Sequence, residues 1–202
     1  MKKLVKFNSR DEFIDHVADN ALFEIGEGSE GEVYLTYDNN VIKNMLDSIN
    51  PKKYIVYNDL IMDDELKLDS FIFPKELYLL KGIIVGYKEN YFANNIFDNP
   101  LLPNEIDIDK LVVARKKFIE DTKAMTDAGY RLYELPGNLL FDNNRLVAID
   151  TLDYIKNDDI TLDENIKIVD YAILLALLGR YSFIDCRKTF DSEIEKVYEY
   201  RK

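Results

Sequence analysis

Three glycines are spaced as in segments that close over phosphate groups. The chain reads GEGSEGEVY from Gly26 to Tyr34, which gives the pattern GxGxxG. In a dinucleotide-binding fold the last glycine of this pattern would open a helix. Here Gly31 leads into the run Val33–Leu35, which favours a strand. We therefore predict a glycine flap (residues 26–31) between two strands, whose backbone can close over phosphates without side-chain clash. A flexible hairpin that binds no ligand is the alternative interpretation.

A lysine follows this flap on the next predicted strand. The run Val41–Lys43 restarts an extended segment after the turn residues Asp38–Asn40. An ammonium group is a compact point charge that suits the α- and β-phosphates of a nucleotide. A lysine at the end of a strand is usually only solvated. Its position directly after the glycine flap is what makes Lys43 a candidate phosphate ligand.

Two hard oxygen ligands flank a predicted hairpin in the second half of the chain. Apolar runs at Leu139–Phe141 and Leu146–Ile149 are separated by the turn Asp142–Asn144. Because Asn138 and Asp150 lie at the open end of this hairpin, we expect their side chains to face one point. Amide and carboxylate oxygens are ligands that Mg²⁺ accepts alongside phosphates. The alternative is a turn residue at Asn138 and a strand-end cap at Asp150.

The first half of the chain combines one short helix with several strands. Ser9 and Glu12 form a capping box that predicts a helix continuing through Val17. Further strand-like runs lie at Phe71–Phe73 and around Ile83, separated by a turn near Lys81 and Gly82. A segment rich in Asn and Pro from residue 90 to 104 predicts a linker.

The second half is mainly helical. Apolar residues at helical spacing predict a helix from Leu111 to a stop at Gly129. A buried helix is predicted over Ile166–Leu178, with its end at Gly179. Strands first and helices second indicate an α+β chain of two lobes. We assign residues 1–90 to the first lobe and 91–202 to the second.

Composition excludes several classes of function. The formal net charge is -12, so we expect neither a nucleic-acid partner nor binding to an anionic membrane. The apolar run Tyr171–Leu178 is too short to span a bilayer. A single histidine, His16, and a single cysteine, Cys186, cannot form a disulfide within the chain, a zinc site or a catalytic triad. The single cysteine fits a reducing compartment, and we expect a cytoplasmic location.

These segments, in this order, resemble the protein-kinase-like superfamily, including small bacterial-type kinases and the aminoglycoside-phosphotransferase relatives. The matching segments are the glycine-rich loop Gly26–Tyr34, the lysine strand Val41–Lys43, the loop end Pro136–Asn138 and the metal-binding motif Ile149–Thr151. The resemblance covers roughly residues 20 to 180. It implies a two-lobed fold with a β-rich N-lobe and a truncated, mainly helical C-lobe, and it places ATP in the cleft between them.

The resemblance also implies which residues bind. Asn138 and Asp150 would hold Mg²⁺, and the segment Tyr87–Tyr91 would be the hinge that meets adenine. The implied nucleotide contacts are Gly26, Gly28, Ser29, Gly31, Val33, Lys43, Tyr87 and Glu89.

The chain departs from the family at its catalytic base. The family's aspartate, five residues before the loop asparagine, is replaced by Tyr133. A phenol is a poor base near neutral pH, because the ordinary pKa of tyrosine is about 10. Glu134 or Asp153 would then be the substitute base. The acidic partner that the family pairs with its lysine stays open among Asp59, Asp63, Asp64 and Glu65.

Three hypotheses of function follow. The first is an ATP- and Mg²⁺-binding, pseudokinase-like module that regulates or binds a protein partner. The second is an active phosphotransferase or nucleotidyltransferase, since a positioned base contributes only about 10²–10⁴-fold and slow transfer is possible without it. The third is a scaffold of the same fold that binds no nucleotide.

Overall fold

The fold is described by a computed structural model for residues 3–28, 31–45, 68–97, 106–157 and 159–181. The candidate acidic partners Asp59, Asp63, Asp64 and Glu65 lie outside the described residues, as does Ser29. Within the described part, the chain is α+β, with a mixed sheet of six strands and three helices. The boundary between residues 90 and 91 stays a prediction. Residues 91–97 form neither helix nor strand, which is consistent with a linker.

The six-stranded sheet has the strand order β1-β5-β6-β4-β3-β2. Only β1 and β5 pair in parallel, and the other neighbours are antiparallel. The strands are β1 (Lys3–Phe7), β2 (Ala21–Gly28), β3 (Gly31–Thr36), β4 (Asn40–Met45), β5 (Glu76–Leu80) and β6 (Ile83–Asn90). The predicted strands on both sides of the glycine flap are therefore confirmed.

The first helix, α1 (Arg10–Asn20), covers one face of this sheet. As the capping signal predicts, the Ser9 hydroxyl accepts a hydrogen bond from the Glu12 N–H at 3.1 Å. The Glu12 carboxylate reaches back to the Asn8 N–H, at 2.7 Å, rather than to Ser9. Phe13 of the helix is buried in a cluster with Ile42 of β4. Because side chains alternate along a strand, Val41 and Lys43 point to the opposite face, which α1 leaves uncovered.

The strand predicted at Phe71–Phe73 is wrong. Phe71 makes a single bridge to Ala148, and the strand that pairs with β6 is β5, which begins at Glu76. Pro74 follows the apolar run directly; proline lacks the N–H that a ladder needs. The predicted turn is confirmed: Lys81 and Gly82 both have positive φ, at 51° and 83°, as a two-residue hairpin turn requires.

Two longer helices and two short strand pairings complete the described chain. The elements are α2 (Ile108–Asp127), β7 (Tyr130–Arg131), β8 (Leu139–Phe141), β9 (Leu146–Ala148), β10 (Ile155–Lys156) and α3 (Leu162–Tyr181). Strand β7 pairs with β10, and β8 pairs with β9. The predicted α2 and the β8–β9 hairpin are confirmed. The predicted limits of α3 are wrong. The helix starts at a capping box of Thr161 and Glu164 and continues through Gly179, since one glycine costs a helix only about 1 kcal/mol.

The main hydrophobic core lies between α2, α3 and the face of the sheet opposite to α1. Its members include Met45, Leu77 and Tyr87 from the sheet, Phe118 and Met125 from α2, Phe141 from β8, and Val169 and Ala172 from α3. Arg115 of α2 and Asp170 of α3 add a two-pronged ion pair, with N–O distances of 2.7 and 2.9 Å. This packing holds the β8–β9 hairpin opposite Lys43.

Candidate functional site

A cavity of about 900 Å³ lies between the Lys43 face of the sheet and the β8–β9 hairpin. This volume falls in the range of roughly 300–1,000 Å³ that small-molecule sites occupy. Most of the residues singled out from the sequence line it: Gly26, Gly28, Gly31, Val33, Lys43, Tyr87, Glu89, Glu134, Asn138 and Asp150. Asp153 does not line the cavity, and Ser29 lies outside the described residues. Segments far apart in the chain therefore meet at one concave site.

The flap glycines occupy two different kinds of structural environment. Strands β2 and β3 stay paired as far as Gly28 and Gly31. A Cβ atom added at Gly31 would lie 2.2 Å from the carbonyl oxygen of Asn44, so glycine is needed there for the close approach of β3 to β4. A Cβ atom at Gly26 or Gly28 would meet nothing within 4 Å. At these two positions the strand leaves open space beside the cavity.

Lys43 and Asp150 form a largely buried ion pair in the cavity wall. The Lys43 Nζ and Asp150 Oδ2 atoms are 2.5 Å apart, and the side chains are 11% and 16% exposed. The hydroxyl of Tyr87 donates a second hydrogen bond to Asp150 Oδ1 at 2.8 Å. Strands β4 and β6 place these donors side by side, because Lys43 and Tyr87 are register partners. Both oxygens of the carboxylate thus accept a bond from the sheet.

The backbone at Asp150 is in an unusual conformation. Its φ of 54° and ψ of 45° lie in the left-handed region, which aspartate tolerates better than most residues. Such conformations cost of order 1–3 kcal/mol and cluster at functional sites. A 3₁₀ turn over Thr151–Asp153 follows immediately. The turn directs the chain away from the hairpin, and Asp150 remains at its open end.

Asn138 lies beside Asp150 because the hairpin ladder continues past β8 and β9. The Ile149 N–H donates to the Asn138 carbonyl oxygen at 3.0 Å. The Asn138 side chain donates to the Glu134 carbonyl oxygen, also at 3.0 Å. Glu134 and Gly137 have positive φ angles of 48° and 87°, so the loop before Asn138 is tight. The oxygen ligands expected to face one point do line one cavity.

Tyr133, at the family's base position, and the two candidate substitute bases, Glu134 and Asp153, occupy different surroundings. Tyr133 is 42% exposed and is not part of the cavity wall. Glu134 does line the cavity, together with Asn138 and Asp150. Asp153 is buried in the 3₁₀ turn and lies outside the lining. Of the three, Glu134 has the surroundings of a group that can meet a ligand.

Glu89 is a buried carboxyl group in the same cavity. It is 4% exposed, and burial raises its pKa well above the ordinary value. The negative charge of Asp150 raises this pKa further, and the positive charge of Lys43 opposes the shift. No hydrogen-bond partner for the Glu89 Oε2 atom exists among the residues that the structure describes.

A comparison with solved structures finds a similar fold. The chain superposes on the twitchin kinase fragment of C. elegans, an autoregulated protein kinase with immunoglobulin domains, with a TM-score of 0.53 and 16% sequence identity. The fold is similar to that of a protein kinase. The match covers 74% of this chain and 35% of that one, so the chain spans about a third of the kinase fragment. No model of a known protein family matches the sequence, and no curated protein matches it.

Apart from Val33, sequence reasoning missed the apolar residues of this cavity. Val41, Leu140 and Ile149 line it from the sheet and from the hairpin. A signal for Val41 was present, because it precedes Lys43 by two residues and alternation puts both on one face. Leu140 and Ile149 carried no comparable signal, since their exposure to the cavity depends on how the hairpin packs against the sheet.

The described residues offer two candidate oxygen ligands for a metal ion at this site. Within the described ranges, no group of three or more His, Cys, Asp or Glu residues is placed to hold a metal ion. Asn138 and Asp150 offer two hard oxygen ligands, and Mg²⁺ typically takes one or two from protein and the rest from phosphates and water. Among the described helices, none has the length and apolar character needed to cross a bilayer.

Proposed function

We propose that the chain is a two-lobed, protein-kinase-like domain that binds ATP and Mg²⁺ and acts as a regulatory or interaction module. The observation that carries this proposal is the meeting of the glycine flap, Lys43 and Asp150 in one cavity of about 900 Å³. The flap supplies open backbone, the lysine supplies a buried positive charge, and the aspartate supplies a metal ligand. A nucleoside triphosphate with its metal ion is the ligand class that uses the open backbone, the positive charge and the metal ligand together.

The binding roles follow from the surroundings of each group. Gly26 and Gly28 would cover the phosphates, because both line the cavity and neither has a side chain to obstruct a ligand. Lys43 would pair with phosphate oxygens. Asn138 and Asp150 would hold Mg²⁺, which would neutralise the phosphate charge. The residues at these positions fit this ligand set in type and in placement.

The proposed regulatory role depends on the residue at the position of the catalytic base. Tyr133 is exposed and stands apart from the cavity wall, so the residue at the family's base position is not available to a substrate there. A domain that binds ATP without this base can still change its shape with the nucleotide. We propose that this change acts on a protein partner, since the net charge of -12 disfavours nucleic acid and anionic membranes.

Calorimetric titration of the purified chain with ATP tests the proposal. We expect micromolar binding with Mg²⁺ and a clear loss of affinity without it. Lys43→Ala should weaken binding at least about tenfold, because charged hydrogen bonds contribute roughly 1.5–3 kcal/mol. Lys88→Ala is the matched control: its ammonium pairs with Asp38 at 2.7 Å, and it is not among the cavity-lining residues. No binding at millimolar ATP would favour the scaffold hypothesis instead.

A second candidate function is phosphoryl or nucleotidyl transfer, favoured by the position of Glu134 in the cavity wall. If Glu134 is the base, labelled ATP should give transfer to protein, substrate or water above the level of an Asp150→Ala variant. Glu134→Gln should then lower the rate by about 10²–10⁴-fold. Tyr133→Phe is the control and should leave the rate unchanged. Transfer no greater than in Asp150→Ala would eliminate this candidate.

A further inference from the structure

Strand β2 is a free edge of the six-stranded sheet. It is eight residues long and last in the strand order, so within the described part of the chain it pairs only with β3. An edge strand presents backbone N–H and carbonyl groups with which a further strand can pair. Three apolar side chains of β2 are exposed as well, namely Leu22, Phe23 and Ile25, and Phe23 is 55% exposed. Pairing groups and exposed apolar side chains together make this edge a candidate docking surface.

The strand register places the apolar side chains of this edge on the cavity side of the sheet. Phe23 is the register partner of Leu35 on β3. Leu35 pairs in turn with Val41, which points to the face that α1 leaves uncovered. Ile25 is itself one of the cavity-lining residues. A strand bound at this edge would therefore meet apolar side chains on its cavity side.

The opposite face of the same edge carries carboxylates. Glu24 and Glu27 are both exposed, and their register partners on β3 are Tyr34 and Glu32. Glu27 and Glu32 place two like charges opposite each other, which destabilises a strand pair. The pKa of the Tyr34 hydroxyl is raised to about 12 by burial, by its hydrogen bond to Glu32 and by the negative charges around it. Among the residues that the structure describes, neither Glu24 nor Glu27 forms an ion pair.

We propose that β2 binds an extended segment of a protein partner as an additional strand, and that this segment alternates apolar residues with lysine or arginine. Its apolar side chains would contact Phe23 and Ile25, and its cations would pair with Glu24 and Glu27 on the other face. A second copy of β2 would not fit this edge, because it would bring like charges together. The inference specifies the partner and the contact surface of the proposed interaction module, and it rests on that role rather than on ATP binding.

The first test uses a labelled synthetic peptide as long as β2, with blocked ends, in which valine and lysine alternate. Fluorescence anisotropy with the full chain should show saturable binding, and amide hydrogen exchange in β2 should slow because its outward N–H groups become paired. A peptide of the same composition, with all its valines before its lysines, should bind at least about tenfold more weakly, since it cannot present apolar and cationic side chains on opposite faces. Equal binding of the two peptides would overturn the proposal, because charge attraction alone would account for it.

Variants of the chain locate the contact. Glu24→Lys combined with Glu27→Lys should weaken binding of the alternating peptide at least about tenfold, because two favourable cross-strand charge pairs become repulsive. Phe23→Ser should also weaken binding while leaving the thermal unfolding midpoint nearly unchanged, since this side chain is largely exposed. Glu120→Lys combined with Asp127→Lys is the charge-matched control on exposed positions of α2 and should bind nearly as well as the unchanged protein. An unchanged affinity in the double variant of β2 would overturn the proposal.

Sedimentation of the free chain and titration with ATP complete the test. Self-association that Phe23→Ser abolishes would mean that a second copy occupies the edge, and would overturn the proposal. Peptide binding by a chain that does not bind ATP would support the docking surface and remove ATP from the proposed function. Binding of ATP without binding of the alternating peptide would overturn the docking surface alone.

Discussion

Replacing Asp150 with asparagine is expected to abolish the advantage that Mg²⁺ gives to ATP binding. In the unchanged protein we expect Mg²⁺ to raise the affinity by at least about tenfold, or about 1.4 kcal/mol. In Asp150→Asn the two affinities should become nearly equal. The physical reason is that an amide keeps the size of the side chain but loses the negative charge that a hard cation needs.

The ion pair with Lys43 makes this prediction sharper. The Lys43 ammonium contacts the Asp150 carboxylate at 2.5 Å, and both side chains are mostly buried. Without Mg²⁺, phosphates that approach Lys43 must compete with this carboxylate and are repelled by its charge. Asp150→Asn removes both effects, so its affinity for Mg²⁺-free ATP should equal or exceed that of the unchanged protein.

Calorimetric titrations of the two proteins, each with and without Mg²⁺, provide the four affinities needed. Asp170→Asn is the charge-matched control, because Asp170 pairs with Arg115 between α2 and α3 and is not part of the cavity lining. The control should keep the full effect of Mg²⁺. An Asp150→Asn variant that kept it too would mean that Asp150 does not bind the metal, and would leave its bonds to Lys43 and Tyr87 as its main role.

Local sequence patterns were enough to predict the elements that depend on neighbouring residues. The Ser9 cap, the turn at Lys81 and the two strands of the β8–β9 hairpin all depend on residues within a few positions of each other. The run at Phe71–Phe73 had the composition of a strand, but a strand also needs a partner and free N–H groups. Pro74 follows this run and lacks an N–H group, and β5 is the segment that pairs with β6.

The site was predictable in its parts but not in its contacts. Lys43 and Asp150 were each identified by spacing, yet their direct ion pair joins residues 107 positions apart, which no local pattern encodes. Tyr87 was expected at the hinge, whereas its hydroxyl bonds to Asp150. The burial of Glu89 depends on how the sheet and the hairpin pack in three dimensions. A pattern in one strand could not predict it.

Substituting Asn165 with leucine is expected to cause the largest loss of stability, about 3–5 kcal/mol, from one buried polar group serving three partners. Asn165 of α3 is fully buried. Its Oδ1 atom accepts from the Leu132 N–H at 3.0 Å, and its Nδ2 atom donates to the Tyr130 carbonyl oxygen and to the Thr126 hydroxyl, both at 2.9 Å. Leucine would remove all three bonds in the core, although the Thr126 hydroxyl would keep its hydrogen bond to the Thr122 carbonyl oxygen at 2.8 Å.

Urea unfolding measures this loss, and ATP titration separates it from the site. Thr126→Val is the control: it removes one of the three bonds and the Thr126 hydroxyl's own bond to the Thr122 carbonyl oxygen, and it should cost about 1–2 kcal/mol. Asn165 holds the segment that leads into the loop of Glu134 and Asn138, but it does not line the cavity. Molecules that remain folded should therefore bind ATP with nearly unchanged affinity.

A stability change below about 1 kcal/mol would mean that water replaces the lost bonds. An affinity loss without unfolding would mean that the loop position, and with it the metal site, depends on this one side chain.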